Sequence, residues 1–298
     1  MDIKTLSDTP PWEWPESAGK TILKVLIDSR AKASDRLIAA ELAGDLTVMN
    51  DDLAGVLLGI ARNGDERAPL RSQAAISLGP ILEYAFTEGF GEPDPEFDLA
   101  LDPDDVPITE QMFHNLQQSL HELYKDESVP KEVRRRVLEA SVRSPQDWLQ
   151  SAVREAYSSG DRDWELTAVF AMRHVRGFED AILDSLQNPD PDIQAEAVRA
   201  AGNWELQAAW DHVAALVTDP ATPKPLLLAA IEAVPGIRPQ EAGVLLVDLA
   251  DSDDEEIAEA ADEALSEAES LSAEDEYDEE DEEGEEDDDE EEEEERGS

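Results

Sequence analysis

The sequence predicts an all-α protein, an α-solenoid of about seven antiparallel helical hairpins, and three observations carry that prediction. A small residue recurs at Ala39, Ala74, Val137, Ala168, Ala197, Ala230 and Ala261, at intervals of 35, 63, 31, 29, 33 and 31 residues. An apolar residue stands four positions before it at Leu70, Val133, Trp164, Ile193, Leu226 and Ile257, so the two share one helix face; Asp35 is the exception. Each unit is preceded by a turn with helix stop and start signals, as in Asn63-Gly64-Asp65-Glu66, Ser159-Gly160-Asp161-Arg162 and Asn188-Pro189-Asp190-Pro191. A period near 30 residues with two apolar stretches per unit is that of a helical hairpin, which buries its apolar face only by stacking on its neighbours.

Taken in order, residues 1–19 form an N-terminal cap segment, 20–270 the solenoid, and 271–298 a polyacidic tail. The run Pro10-Pro11-Trp12-Glu13-Trp14-Pro15 is read as non-helical, and its two tryptophans either cover the end of the first hairpin or face a partner. The helices pair as 20–30 with 33–44, 51–62 with 66–86, 109–124 with 130–143, 146–158 with 162–176, 178–187 with 191–202, 205–217 with 223–234, and 238–249 with 254–270. The long interval contains an acidic loop insertion, 87–107, broken by Gly89, Gly91, Pro93, Pro95, Pro103 and Pro107. From Glu274 to Glu295 the tail has 20 acids in 22 positions, too little apolar surface to fold, so disorder is expected.

The stretch Leu70-Arg71-Ser72-Gln73-Ala74-Ala75-Ile76-Ser77-Leu78-Gly79 resembles the second helix of the HEAT-repeat family, close to its bacterial HEAT-like subgroup. Val133-Arg134 opens a second such copy and Ile193 through Gly202 a third. The resemblance runs from Lys20 to Glu269, with Gln194, Leu227 and Ala258 replacing the arginine in later copies. It implies close stacking of second helices through the small residues, and an arginine that bonds an acid of the neighbouring hairpin.

Charge sets the excluded classes. The 298 residues include 74 acids and 23 bases, a net of −51, so direct nucleic-acid binding and an anionic membrane are both disfavoured. With no cysteine, disulfides, thiolate metal sites and cysteine nucleophiles are excluded. An acidic, proline-containing start is unlike a signal peptide, and no apolar run reaches a membrane span, so a cytoplasmic location is expected.

Several motifs invite a chemical reading. Ala18-Gly19-Lys20-Thr21 looks like the end of a phosphate loop, but Trp14 stands where the motif needs glycine; the four residues are read as opening the first helix. The histidines are His114, His121, His174 and His212, and the first two share a helix face without a carboxylate–histidine ligand pattern. HEAT-repeat deoxyhypusine hydroxylases hold iron with several His-Glu pairs; this chain has one, His121-Glu122, which argues against that activity. The resemblance extends to HEAT-like DNA glycosylases, whose basic cradle is missing here, and to HEAT-like lyases. The loop acids lack a calcium-binding frame and are read as solvated. No cofactor and no metal is expected. Lys131, Arg134, Arg135, Arg136 and Arg143 are the one basic concentration, a candidate patch for a partner's acidic segment or for the chain's own tail. The alternative is a set of ion pairs with Glu132, Glu139 or Asp126.

The expected function is a non-catalytic interaction scaffold or adaptor, binding a protein partner on the concave face of the second helices and capturing it electrostatically with the tail. The runner-up is a chaperone-like binder of basic proteins acting through the tail, with a HEAT-like lyase third. A protein partner is expected, and a basic one where the tail does the binding.

Overall fold

A computed structural model describes residues 1–91 and 106–272. The core of the acidic insertion and the tail therefore lie outside the described residues. Every regular element among those described is helical, as the repeat pattern requires. The chain divides into two compact units, with the division between Val175 and Arg176.

The first unit holds four hairpins: Ala18–Ile27 with Ala33–Leu42, Asp51–Arg62 with Ala68–Ile76, Glu110–Lys125 with Lys131–Ser141, and Leu149–Tyr157 with Arg162–Ala171. The second holds Glu179–Ser185 with Pro191–Asn203, Trp210–Thr218 with Lys224–Ile237, and Pro239–Ala250 with a helix over 255–272. One expected helix is two. Residues 66–86 break at Ser77–Leu78 into Ala68–Ile76 and Gly79–Ala85, because Pro80 has no N–H to continue the ladder. A π-helical turn, Phe86–Phe90, then carries the chain into what sequence marks as loop.

All seven small positions are fully buried. The helices approach closely where a glycine follows five residues later. A Cβ on Gly44 would sit 2.8 Å from the Ser77 carbonyl oxygen, and one on Gly202 would sit 2.7 Å from Ala233 Cα. In both cases the facing residue lies three past the small position of the next hairpin, so the same contact recurs in both units and fixes how one second helix sits on the next.

The family arginine has a task besides the expected acid contact, which Arg36 makes to Glu66 of the next hairpin. Arg36, Arg71 and Arg134 each donate Nε to a carbonyl ten residues back, on Leu26, Ala61 and Tyr124, at 3.2, 2.9 and 2.7 Å. These are the open carbonyls at the C-terminal end of the first helix of the same hairpin, where a cation also suits the helix dipole. Gln194, standing in for arginine, does the same to the Leu186 carbonyl at 2.9 Å.

A second regularity joins neighbours. Arg36 pairs bidentately with Glu66, Lys131 with Asp161 and Lys224 with Asp254, each across 30 residues. The cation leaves the start of one second helix and meets an acid just before the next. The two lysine pairs are open to solvent and screened by it, whereas Arg36 and Glu66 are largely buried.

The N-terminal segment is partly helical. Asp2 caps Ile3–Ser7, whose Ile3 and Leu6 enter the core, and Pro11–Glu13 forms a 3-10 turn inside the run expected to be irregular. Trp14 packs against the core and donates Nε1 to the carbonyls of Leu6 and Thr9 at 3.0 and 2.7 Å. Trp12 remains 81% exposed.

Candidate functional site

Of the five basic residues singled out by sequence, Lys131, Arg134, Arg135 and Arg143 reach the hairpins on either side of their own. Lys131 bonds Asp161 and Asp163 of the next hairpin, at 3.0 and 2.9 Å, and these bonds raise its pKa and lower theirs. Arg135 donates Nε to Thr167 at 2.8 Å, and Thr167 donates to the buried Glu139 at 2.6 Å. Arg136 holds the other Glu139 oxygen, so that carboxylate is shared between two arginines and a hydroxyl. Arg143 reaches back to Glu83 at 2.8 Å, and the route exists because residue 79 is glycine: a Cβ there would lie 2.8 Å from Arg143 Cδ. Arg134 lies over the rings of Tyr124 and Trp164 at 5.5 and 5.6 Å. Each of the five thus has a partner within the fold. Of the anticipated pairs, the one with Glu139 is present.

The histidines are dispersed. His121 stacks on Trp148 with centroids 4.5 Å apart, and burial lowers its pKa. Burial also holds His174 down to about 4, beside Glu83 at 4.0 Å. His212 lies between Gln187 and Gln194, its pKa lowered by burial. His114 lies 3.7 Å from Glu110. Among the described residues no three His, Asp or Glu side chains gather to hold a metal. The Gly19-Lys20-Thr21 stretch lies in the first turns of Ala18–Ile27.

What sequence reasoning missed is the surface of the second unit. Residues 176–272 contain 22 acids and four bases, and all four bases are engaged internally. Arg176 lies over Trp204, Arg199 bonds Glu196 and Glu232, Lys224 bonds Asp254 and Glu256, and Arg238 bonds Gln207 and Glu241 and lies over Trp210. From residue 239 to 272 there are 12 acids and no base.

On the last helix Ala261, Ala264 and Ala268 face inward, which leaves Glu255, Glu259, Glu263 and Glu267 along one exposed face at four-residue spacing. None of the four has an ion pair among the described residues. Each like-charged neighbour at this spacing costs about 0.2–0.5 kcal/mol. On the preceding helix Ala242 and Leu246 are buried, whereas Val244 is 86% exposed and Val247 is exposed. Helical periodicity places Glu241, Asp248 and Asp251 on the same outward face. The signal was available in the sequence, since the Glu spacing can be counted there. The valines could not be sorted from the leucines without the packing.

No family model and no curated protein matches the chain. Solved structures do, and two of them serve as examples. One is Escherichia coli YibA, 16% identical, with 84% of this chain and 82% of that chain covered and a TM-score of 0.41. The other is human deoxyhypusine hydroxylase in complex with glycerol, 17% identical, with 90% and 88% covered and a TM-score of 0.40. Both are HEAT-like helical proteins, and the likeness is one of fold alone. The expected function, a non-catalytic scaffold, is not supported, and a likeness of fold alone assigns no activity in its place. Nor is the expectation that the chain is not an enzyme confirmed. No helix among the described residues is long and apolar enough to cross a membrane.

Proposed function

We propose that this chain recognises a basic segment of another protein, as substrate or as partner, on the acidic face of its second unit. The observation that supports this is the row of Glu255, Glu259, Glu263 and Glu267, exposed and without cations in a unit whose four bases are already engaged. A lysine- or arginine-rich segment laid along that row relieves the repulsion within the helix and gains attraction, so binding is favoured twice by the same charges. On the preceding helix Val244 and Val247 are exposed and offer such a segment an apolar contact.

Fluorescence anisotropy with a labelled lysine-rich peptide tests this reading. Both the full chain and a chain ending at Ser272 are used, so that the tail is not the only acceptor. The shortened chain is expected to bind at about 20 mM salt and to lose most affinity near 0.3 M, where screening reaches within a few ångströms. Replacing the four glutamates with glutamine keeps helix propensity and is expected to weaken binding at least about tenfold. Unchanged affinity in that variant, or no binding without the tail, would overturn the reading.

A further inference from the structure

The second observation pointing to a ligand lies at the opposite end of the chain. The 3-10 turn Pro11–Glu13 and Trp14 form a ridge with a cavity on each side. One, of about 460 Å³, has Leu23 and Met49 in its wall; the other, of about 510 Å³, has Leu42 and Leu46. Pro11 and Trp14 line both, so the two are neighbouring compartments on a common wall. Each volume is in the range that encloses a small ligand or a few side chains. The wall is fixed in advance, because the Trp14 indole is held by two backbone carbonyls and proline needs no ordering. On the same turn Trp12 presents its ring to solvent, and exposed tryptophan is the residue type most enriched among energetic anchors of interfaces.

Charge selects the occupant. The first cavity is edged by Glu16 and Asp52 with Lys20, the second by Glu41 and Asp45, four carboxylates against one ammonium. The chain's own polyacidic tail and the seven acids of residues 92–105 carry the same sign as these walls. So does a second copy, at a net charge of −51. A basic peptide is the complement. Its cations meet the carboxylates and the face of an indole, and apolar or proline side chains between them enter the two compartments.

We infer that this N-terminal ridge is a docking groove for an extended peptide of alternating basic and apolar residues, a contact site separate from the acidic face of the second unit. The inference rests on the reading that the partner is basic and adds what must lie between its cations.

Two labelled peptides of equal length and charge separate the two claims: one with lysines spaced by proline and leucine, the other with the same lysines spaced by glycine and serine. Both are titrated into the full chain, into Trp12→Ala, and into Gly19→Leu. At Gly19 an added Cβ meets nothing closer than 3.5 Å, so a longer side chain reduces the first cavity without removing a contact. The chain is also labelled with 5-fluorotryptophan, the Trp12 resonance being assigned by its loss in Trp12→Phe. The proline–leucine peptide is expected to bind about tenfold more tightly than its counterpart and to move the Trp12 resonance, and both substitutions are expected to abolish that advantage. Equal binding of the two peptides, with both variants unaffected, overturns the groove and leaves the basic partner standing. Binding of neither peptide at low salt overturns the basic partner itself.

Discussion

Among the described residues up to Val175 there are 25 acids and 18 bases, whereas from Arg176 to residue 272 there are 22 acids and four bases. The hairpin plan is the same in both units: buried alanines at equivalent places, a glycine against the next second helix, a cation reaching an acid 30 residues on. The first unit adds many further ties, including the Glu139 cluster and Arg143 on Glu83. The second leaves the glutamate row of its last helix facing water. Packing therefore sets the fold, and charge is free to differ between copies of one repeat.

The largest test of this contrast is Glu139→Ala. It strands Arg135, Arg136 and Thr167 around an emptied site, and removing one partner of a buried charged cluster costs about 3–5 kcal/mol. Hydrogen exchange is expected to show the loss in amides of the first unit and little change beyond residue 176. Protection lost equally in both units would show that they do not stand independently.

Acid gives the next effect. His174 stays neutral in the fold down to about 4, while an unfolded chain takes up the proton near 6.5. Its contribution is therefore complete above pH 6.5 and is lost as pH falls from there toward 4, by roughly 3 kcal/mol at the limit. Urea midpoints at pH 7 and 4.5 should converge for wild type and His174→Asn as the pH falls, because the asparagine chain has no such proton to bind.

Gly202→Ala probes the packing shared by both units. The new methyl meets Ala233 backbone at 2.7 Å, and overpacking of this kind costs about 1–3 kcal/mol. Gly44→Ala, 2.8 Å from the Ser77 carbonyl, should cost a similar amount in the first unit. Denaturant midpoints that fall for one variant and not for the other would mean that the recurring contact is not equivalent in the two places.

The smallest expected effect would make the second unit more like the first. Leu227 occupies the arginine position of its hairpin, so Leu227→Arg should cap the end of the helix Trp210–Thr218 and gain about 0.5–1 kcal/mol in thermal unfolding at low salt. A change that vanishes at high salt would assign the gain to charge, and one that persists would assign it to the hydrogen bond.

The repeat was legible because alanines and turn residues recur at a fixed spacing, and the seven hairpins follow from that spacing. The break before Pro80 could have been read from the proline. The partners of Lys131, Arg135 and Arg143 could not be found by searching nearby residues, because they lie 30, 32 and 60 positions away. Only Glu139, three and four positions from Arg136 and Arg135, was within reach of a local search. Conversely, an apolar helix looks wholly buried until its neighbours are known, and Val244 and Val247 prove exposed.

The ladder of bonds across 30 residues has a mechanical consequence. Each tie ends on the next hairpin, so a pull along the chain loads one hairpin boundary at a time rather than all of them in parallel. Under tension in an optical trap each unit would give way in steps, and each step would release about 30 residues, or roughly 100 Å of extended backbone. The hairpins joined by the Glu139 cluster would be the last of the first unit to yield.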